Sequence, residues 1–518
     1  MNNVYFMLEE SAARHPERVA LVFNRKPISY AVLMEAVCRL ASGLRRHGIG
    51  YGDRVALMLP NHPHFAIAYF AILKLGATVV PVATHCKSIE IHHQLEEAEV
   101  KGVVFWEGYR VAVDEIIRGL ERCQKRFVLC EKAFSGEIRL SYLMETHSPL
   151  HETVDTAPDD TAVIVYTDRM KGRSKGAELT HRNLAFHIET SRDFLKLSPE
   201  DGVVGVMPMY HTLGQTVVLG SFLRTGARVC LLSKFDLPNV LRAVKEESLT
   251  WWIGAPYMFD VLVQQRELDP NDLVSLKAVL SSGAPLKQET LDALENRFRL
   301  AVLEGYGLTE ASPLVSCTQT TRERHAGSIG LPLPGIEMKI VDDDGMEISP
   351  GKIGEILVQG PNVMKGYLNR PEATKEALSG GWFHTGDLAR LDENGTATVV
   401  ARKPNLIIKS GFTLFPDDVE SALLAHPRVA EAVVVGLPDT AFGEEVYACV
   451  VLKPGDADGE TEIMAFLKDR IPAYQCPKTI QCVPSLPKGP TGRVVRDQVK
   501  QMLLEKDNRP KPQQGGSS

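Results

Sequence analysis

The sequence predicts an α/β protein. A large N-terminal domain would hold two doubly wound α/β subdomains and a small β-barrel or meander, and a small α+β domain would follow. Three observations predict it. Apolar runs of strand length alternate with helical stretches through the first part of the chain, a rhythm that builds a mostly parallel sheet with helices on both faces. The same units return after a basic loop near residue 170. Beyond Gly327 the texture becomes short strands set between Pro, Gly and Asp, and from about Ile407 it reverts to α+β. At 518 residues the chain is too long for one ordinary core, so two to four domains or subdomains are expected.

The elements follow in order. Tyr30, Val32, Leu33, Ala36, Val37, Leu40, Ala41 and Leu44 repeat at helical spacing, and Gly48 closes that helix. Arg54 to Leu59 reads as a strand. Phe65 to Leu73 is apolar almost all round, which marks a helix buried on several sides. Ala77 to Val82 is a strand, then comes a helix through Glu97 and a strand at Lys101 to Phe105. In the second set, Gly202 to Met207, Arg228 to Leu232, Leu249 to Gly254 and Ala278 to Ser281 read as strands, with a helix at Thr216 to Leu223. The stretches GLPLPGIEMKIVDDDG, GEILVQG and TATVVARK supply the barrel or meander. Val419 to Leu424 and Met464 to Leu467 are helical, and Val429 to Val435 and Val446 to Leu452 are strands. These patterns place a large domain at 1–401, a hinge at 402–406, a lid domain at 407–506 and a disordered tail at 507–518.

Composition excludes several classes. Hydrophobic residues at 44% and charged residues at 24% are globular values. A net charge of −7 with interspersed signs argues against nucleic acid as a partner. No apolar stretch is long enough for a membrane span, and the N-terminus lacks the pattern of a signal peptide. The cysteine count is nine, an odd number with no C-x-x-C pair, which points to reduced thiols, a cytoplasmic location and no zinc site.

The stretch VIVYTDRMKGRSKGAELTHRNL, Val163 to Leu184, looks chemical. Ile164 to Tyr166 reads as a buried strand and Leu179 onward can open a helix. Between them Gly172 and Gly176 lie among Arg169, Lys171, Arg173 and Lys175, and such a loop can turn backbone N–H groups and cations toward phosphate. A solvated basic turn is the competing reading, and the Walker A pattern is absent. Four further stretches carry chemistry. Ser281-Ser282-Gly283-Ala284-Pro285 ends a strand where a flat ligand can approach. Glu304-Gly305-Tyr306-Gly307-Leu308-Thr309-Glu310 gathers two glycines, an aromatic ring, a hydroxyl and a carboxylate within seven positions. Gly381 to Leu388, GWFHTGDL, sets Asp387 on a tight turn suited to a ribose diol, and Arg402 begins the hinge.

In this order and spacing these stretches resemble the adenylate-forming superfamily, and most closely its medium- and long-chain fatty acyl-CoA synthetases, over nearly the whole chain. The resemblance implies an acyl-adenylate made from ATP and an acid, then a thioester made with CoA after the small domain rotates. It implies ATP or AMP, Mg²⁺ and CoA as cofactors, an apolar acyl substrate, and leaves a homodimer open. By position, Ser282, Gly283, Ala284 and Pro285 would line the adenine side with Gly307, and Tyr306 would stack on the ring. Thr309 would touch phosphate, Glu310 would hold Mg²⁺, and Asp387 with Arg402 would bind the ribose. Lys175 and Arg493 join His211, Thr309 and Glu310 as catalytic candidates. His211, Gly214, Trp251, Met258 and Gly305 would wall the acyl pocket.

Three positions depart from the family pattern. The phosphate loop usually reads Y-T-S-G-T-T-G-x-P-K-G, and here Asp168-Arg169-Met170-Lys171 replaces its Ser-Gly-Thr-Thr core. Asp168 at about 5 Å would repel each phosphate charge by roughly 3 kcal/mol at an effective dielectric near 20. Arg493 stands where the family has its adenylation lysine, a non-conservative exchange. Pro404 takes the pivot position and fixes φ. The reading is therefore AMP-forming activation of an apolar acid and its transfer to CoA, impaired or redirected. The alternatives are a non-ligating relative that binds acyl-CoA or nucleotide, and an ATP-independent enzyme acting on a preformed thioester.

Overall fold

The structure is a computed structural model. It describes residues 2–507 apart from His85, 168–173, 320–326, Asn394, 410–411, 440–442, 455–458, Asp469, Ala473, 490–491 and Arg493.

Two large sheets dominate. In the first, Thr161–Tyr166, Thr78–Pro81, Arg54–Met58, Gly102–Trp106, Lys125–Leu129 and Ile138–Arg139 run parallel in that order. The antiparallel strands Gly176–Thr180 and Gly366–Tyr367 extend one edge. In the second, Ala301–Gly307, Ala278–Ser282, Trp251–Gly254, Gly202–Gly205, Arg228–Leu231 and Val19–Phe23 are parallel, with antiparallel strands at both edges. The expected α/β pair is present, but the chain trades strands between its halves. Val19–Phe23 enters the second sheet and Gly366–Tyr367 the first, and neither exchange shows in local periodicity.

Local chemistry sets the element ends. Ser29 caps the helix Tyr30–Arg46 by accepting the Val32 N–H, and Gly48 follows with φ 87°. Val32, expected on the apolar face, is 57% exposed, because the buried stripe runs through Leu33, Val37, Leu40, Ala41 and Leu44. Pro63 opens the helix Pro63–Lys74, which is buried along its whole length. Thr180 and Asn183 form a capping box on the helix His181–Phe194.

Two expectations are corrected. The basic loop does not pass from strand to helix. Thr161–Tyr166 and Gly176–Thr180 pair as an antiparallel hairpin with Tyr166 opposite Gly176, and the helix starts only at His181. Leu179 and Thr180 are claimed by cross-strand pairing, so the helix cannot begin at Leu179. The helix expected at Thr216 to Leu223 is a π-helix over Leu213–Ser221, continued as the α-helix Phe222–Thr225.

Strands Glu337–Val341, Ile353–Gln359, Phe383–Leu391 and Ala397–Arg402 form a four-stranded antiparallel meander. A 3₁₀ turn at Lys403–Asn405 follows, then the lid sheet of Phe412–Leu414, Ile407–Lys409, Gly443–Leu452, Val429–Asp439 and Thr479–Cys482. Two apolar clusters built only from residues 407–503 support a separate lid core.

His181 and His187 are buried in the large region, and His64 is half-buried. Burial lowers His64 and His181 to about 4 and His187 to about 3. His187 Nε2 accepts the Leu314 N–H at 3.0 Å, which needs the neutral ring. A depressed histidine stabilises above its unfolded pKa near 6.5, and that stability is lost as pH falls toward the folded value. Melting temperature is expected to drop steadily between pH 6.5 and 4, each histidine costing on the order of 3 kcal/mol by pH 4. A melting curve flat across that window would contradict the assignment.

Candidate functional site

The site forms where the second sheet meets the meander. Register places Asp387 directly opposite Arg402 on neighbouring strands. The carboxylate of Asp387, 2% exposed, accepts the Tyr306 hydroxyl at 2.7 Å and Arg402 Nη2 at 3.3 Å on Oδ2, and Arg402 Nε pairs with Oδ1. Burial and the Asp387 charge push the Tyr306 phenol far above its usual range, so it stays a donor. Burial works against the Arg402 charge, yet Asp387 more than offsets it and the guanidinium stays charged.

A cavity of about 110 Å³ opens beside this triad. Gly283, Ala284 and Pro285 line it with Ser281, Glu304, Tyr306 and Ile329, and Asp387 and Arg402 close one side. Gly283 has φ 98°, a conformation a side chain would resist. The adenine-side candidates Gly283, Ala284, Pro285, Tyr306 and Gly307 thus meet Asp387 and Arg402 around one slot. Ser282 does not line it, because its hydroxyl donates to Gly305 O at 2.8 Å and ties two strands together. The lining serines are Ser281 and Ser328. Sequence reasoning gave no role to Glu304, a buried carboxylate that accepts the Leu286 N–H at 3.1 Å and the Gly327 N–H at 3.2 Å on the slot wall. Its place two residues before Tyr306 was the available signal.

Gly305 and Gly307 have a packing reason. A Cβ on Gly307 would fall 2.1 Å from Pro313 O, and one on Gly305 would fall 2.8 Å from Leu314 Cδ2. The returning strand Leu314–Cys317 occupies the space a side chain would need.

A second cluster supports the phosphate and metal candidates. Thr309 and Glu310 lie on the 3₁₀ turn Thr309–Ala311. Glu310 Oε1 accepts the Tyr367 hydroxyl at 2.8 Å, and Lys175 Nζ stands 4.6 Å from the centre of the Tyr367 ring. Among the described residues no group of three metal-ligating side chains occurs. A single carboxylate such as Glu310 fits Mg²⁺, which takes most of its ligands from phosphate and water. The residues 168–173, with their altered core, lie outside the described residues, as does Arg493.

His211 sits in a loop held by Asn61, whose amide bonds Gly205 O at 3.1 Å, Met207 O at 2.8 Å and the Met209 N–H at 2.9 Å. Gly214 presses on that loop, since a Cβ there would fall 2.4 Å from Pro208 O. Thr216 donates to Ser312 O at 3.1 Å, joining the π-helix to the Thr309–Ala311 turn. Trp251 and Met258 are buried in the main core. In the lid, Lys488 pairs with Glu431 at 2.7 Å and is committed there. Gly492, next to Arg493, packs on the large domain: a Cβ on it would fall 2.4 Å from the Tyr257 ring. Pro404 lies in the 3₁₀ turn Lys403–Asn405, and Lys403 Nζ is anchored to Glu355 Oε2 at 3.0 Å.

The slot makes a prediction. Tyr306→Ala should weaken AMP binding by about 10- to 100-fold through lost base stacking. Tyr306→Phe keeps the ring and removes a competitor for Asp387, so its affinity should stay within a few-fold of the parent. Calorimetry with AMP decides, and equal losses in both variants would assign the effect to the hydroxyl instead.

Comparison with known proteins gives the same direction. The family model described as "AMP-binding enzyme" matches residues 8–368, and that described as "AMP-binding enzyme C-terminal domain" matches residues 418–493. A long-chain-fatty-acid–CoA ligase of Bacillus subtilis is 32% identical, with 97% of this chain and 94% of that protein covered. A feruloyl-CoA synthase of an Amycolatopsis species is also 32% identical, covering 94% and 96%. The crystal structure of ATP-bound MatB from Rhodopseudomonas palustris superimposes with a TM-score of 0.88 at 30% identity, covering 98% of this chain and 100% of that one.

Proposed function

Because the chain belongs to the AMP-binding enzyme family, we propose that it activates an apolar carboxylic acid with ATP and transfers the acyl group to CoA. The Asp387–Tyr306–Arg402 cluster beside the Gly283–Pro285 floor is the observation that carries this reading. A flat slot next to a buried carboxylate suits a purine followed by a ribose diol. Ser281, Gly283, Ala284 and Pro285 hold the base with Tyr306, and Asp387 takes the ribose hydroxyls while Arg402 fixes the carboxylate. Thr309 and Lys175 face the phosphates. Glu310 would hold Mg²⁺, which supplies charge neutralisation at the phosphates when bound. His211 steadies the acid's carboxylate and the Gly214 helix walls its chain. Arg493 is proposed as the lid's cation and Pro404 as its pivot, within domains at 1–401 and 407–506.

Readings without ligation are less favoured. The relatives matched over nearly their full length carry the names of a CoA ligase and a CoA synthase, and the slot gathers Gly283, Ala284, Pro285, Tyr306, Gly307, Asp387 and Arg402. Nine free cysteines support a reducing, cytoplasmic setting, and no described helix is long and apolar enough to cross a membrane. Acid-dependent pyrophosphate release from ATP, over a panel of fatty and aromatic acids, is the test. Release is expected with at least one acid. Its absence across the panel, with AMP still bound, would return the non-ligating readings.

A further inference from the structure

The π-helix Leu213–Ser221 carries a polar group that neither the fold nor the proposed reaction uses. Gln215 is 2% exposed, and its Nε2 and Oε1, shut off from solvent, both lack a hydrogen-bond partner among the described residues. Thr212, 1% exposed and next to the same helix, has an unpartnered Oγ1 as well. A buried amide or hydroxyl without a partner is costly, and π-helical segments concentrate at functional sites.

Position says what these groups meet. Gly214 faces the loop carrying His211, because its Cβ position lies 2.4 Å from Pro208 O. Thr216 faces the Thr309–Ala311 turn through its bond to Ser312 O at 3.1 Å. Gln215 falls between these two faces in helical angle. With His211 at the acid's carboxylate and Thr309 at the phosphate, as proposed above, the reacting groups would meet between that loop and that turn, and the carbons next to the carboxylate would pass this side of the helix. A glutamine amide offers both a donor and an acceptor. A hydroxyl answers both, and a methylene answers neither.

We propose that Gln215, with Thr212, reads a hydroxyl on the first few carbons of the acid, so that the site selects hydroxylated acids over plain aliphatic ones. This rests on the acyl-activating reading above and narrows its substrate class. Gln215 acts as a specificity residue and takes no part in the adenylate chemistry.

Non-reactive sulfamoyl-adenosine mimics test it independently of turnover. The probes are the octanoyl mimic and its 2-, 3- and 4-hydroxy forms, titrated by calorimetry into the parent chain, Gln215→Met and Gln215→Leu. The best hydroxylated mimic is expected to bind the parent about 10-fold or more tighter than the plain one. Both apolar variants should lose that preference and hold the plain mimic at least as well, with AMP affinity unchanged. If all hydroxylated mimics bind the parent within twofold of the plain one, or if the preference survives in both variants, the inference is overturned. If AMP binds and no acyl mimic does, the acyl-activating reading falls and takes the inference with it.

Discussion

Asp387→Ala is expected to weaken AMP binding by at least 100-fold and to remove acid-dependent pyrophosphate release. Asp387 is almost fully covered and holds both the Tyr306 hydroxyl and the Arg402 guanidinium. Deleting it removes the ribose acceptor and leaves Arg402 charged with no counter-ion. Breaking a buried pair from one side costs about 3–5 kcal/mol, so melting temperature should fall as well. The two losses separate in a cycle. Arg402→Met added to Asp387→Ala removes the uncompensated charge and should recover stability, but not AMP affinity. An Asp387→Ala protein that binds AMP within twofold of the parent would show that the diol lies elsewhere.

How much of this was legible follows from where the information sits. Local patterns gave the α/β rhythm, the helix Pro63–Lys74 and the parallel strands, because strand length and helical period are written in neighbouring residues. The nucleotide candidates Tyr306, Asp387 and Arg402 were legible as motif members, and cross-strand register brings the last two together. Sequence misread what depends on a distant partner. Ser282 looked like a slot residue, yet Gly305 O takes its hydroxyl. Leu179 looked like the start of a helix, yet pairing with Val163 holds it in a strand. Gly305, expected at the acyl pocket, lines the nucleotide slot together with Gly307, and the strand Leu314–Cys317 leaves neither position space for a side chain. Glu304 was passed over because a carboxylate's use of backbone N–H groups leaves no periodic trace.

The altered phosphate loop and Arg493 lead to the second large effect. Restoring Ser-Gly-Thr-Thr at 168–171 is expected to raise acyl-adenylate formation by under about threefold alone. Combined with Arg493→Lys, it should raise the rate about 100-fold, the scale set by single donors aimed at a developing charge. In the proposed reaction the repaired loop would supply N–H groups and hydroxyls to the outer phosphates and the residue at 493 would serve the same transition state, so the changes should be strongly non-additive. Lys488, five residues upstream, pairs with Glu431 at 2.7 Å and is not assigned the missing lysine's role. Gly492, the residue before Arg493, stands against the Tyr257 ring, and an arginine is longer and planar where a compact ammonium is the family's choice. Pyrophosphate exchange measured on the loop repair, on Arg493→Lys and on the pair decides the matter. A full gain from the loop repair alone would show that Arg493 already does the lysine's work, and that the loop was the sole obstacle.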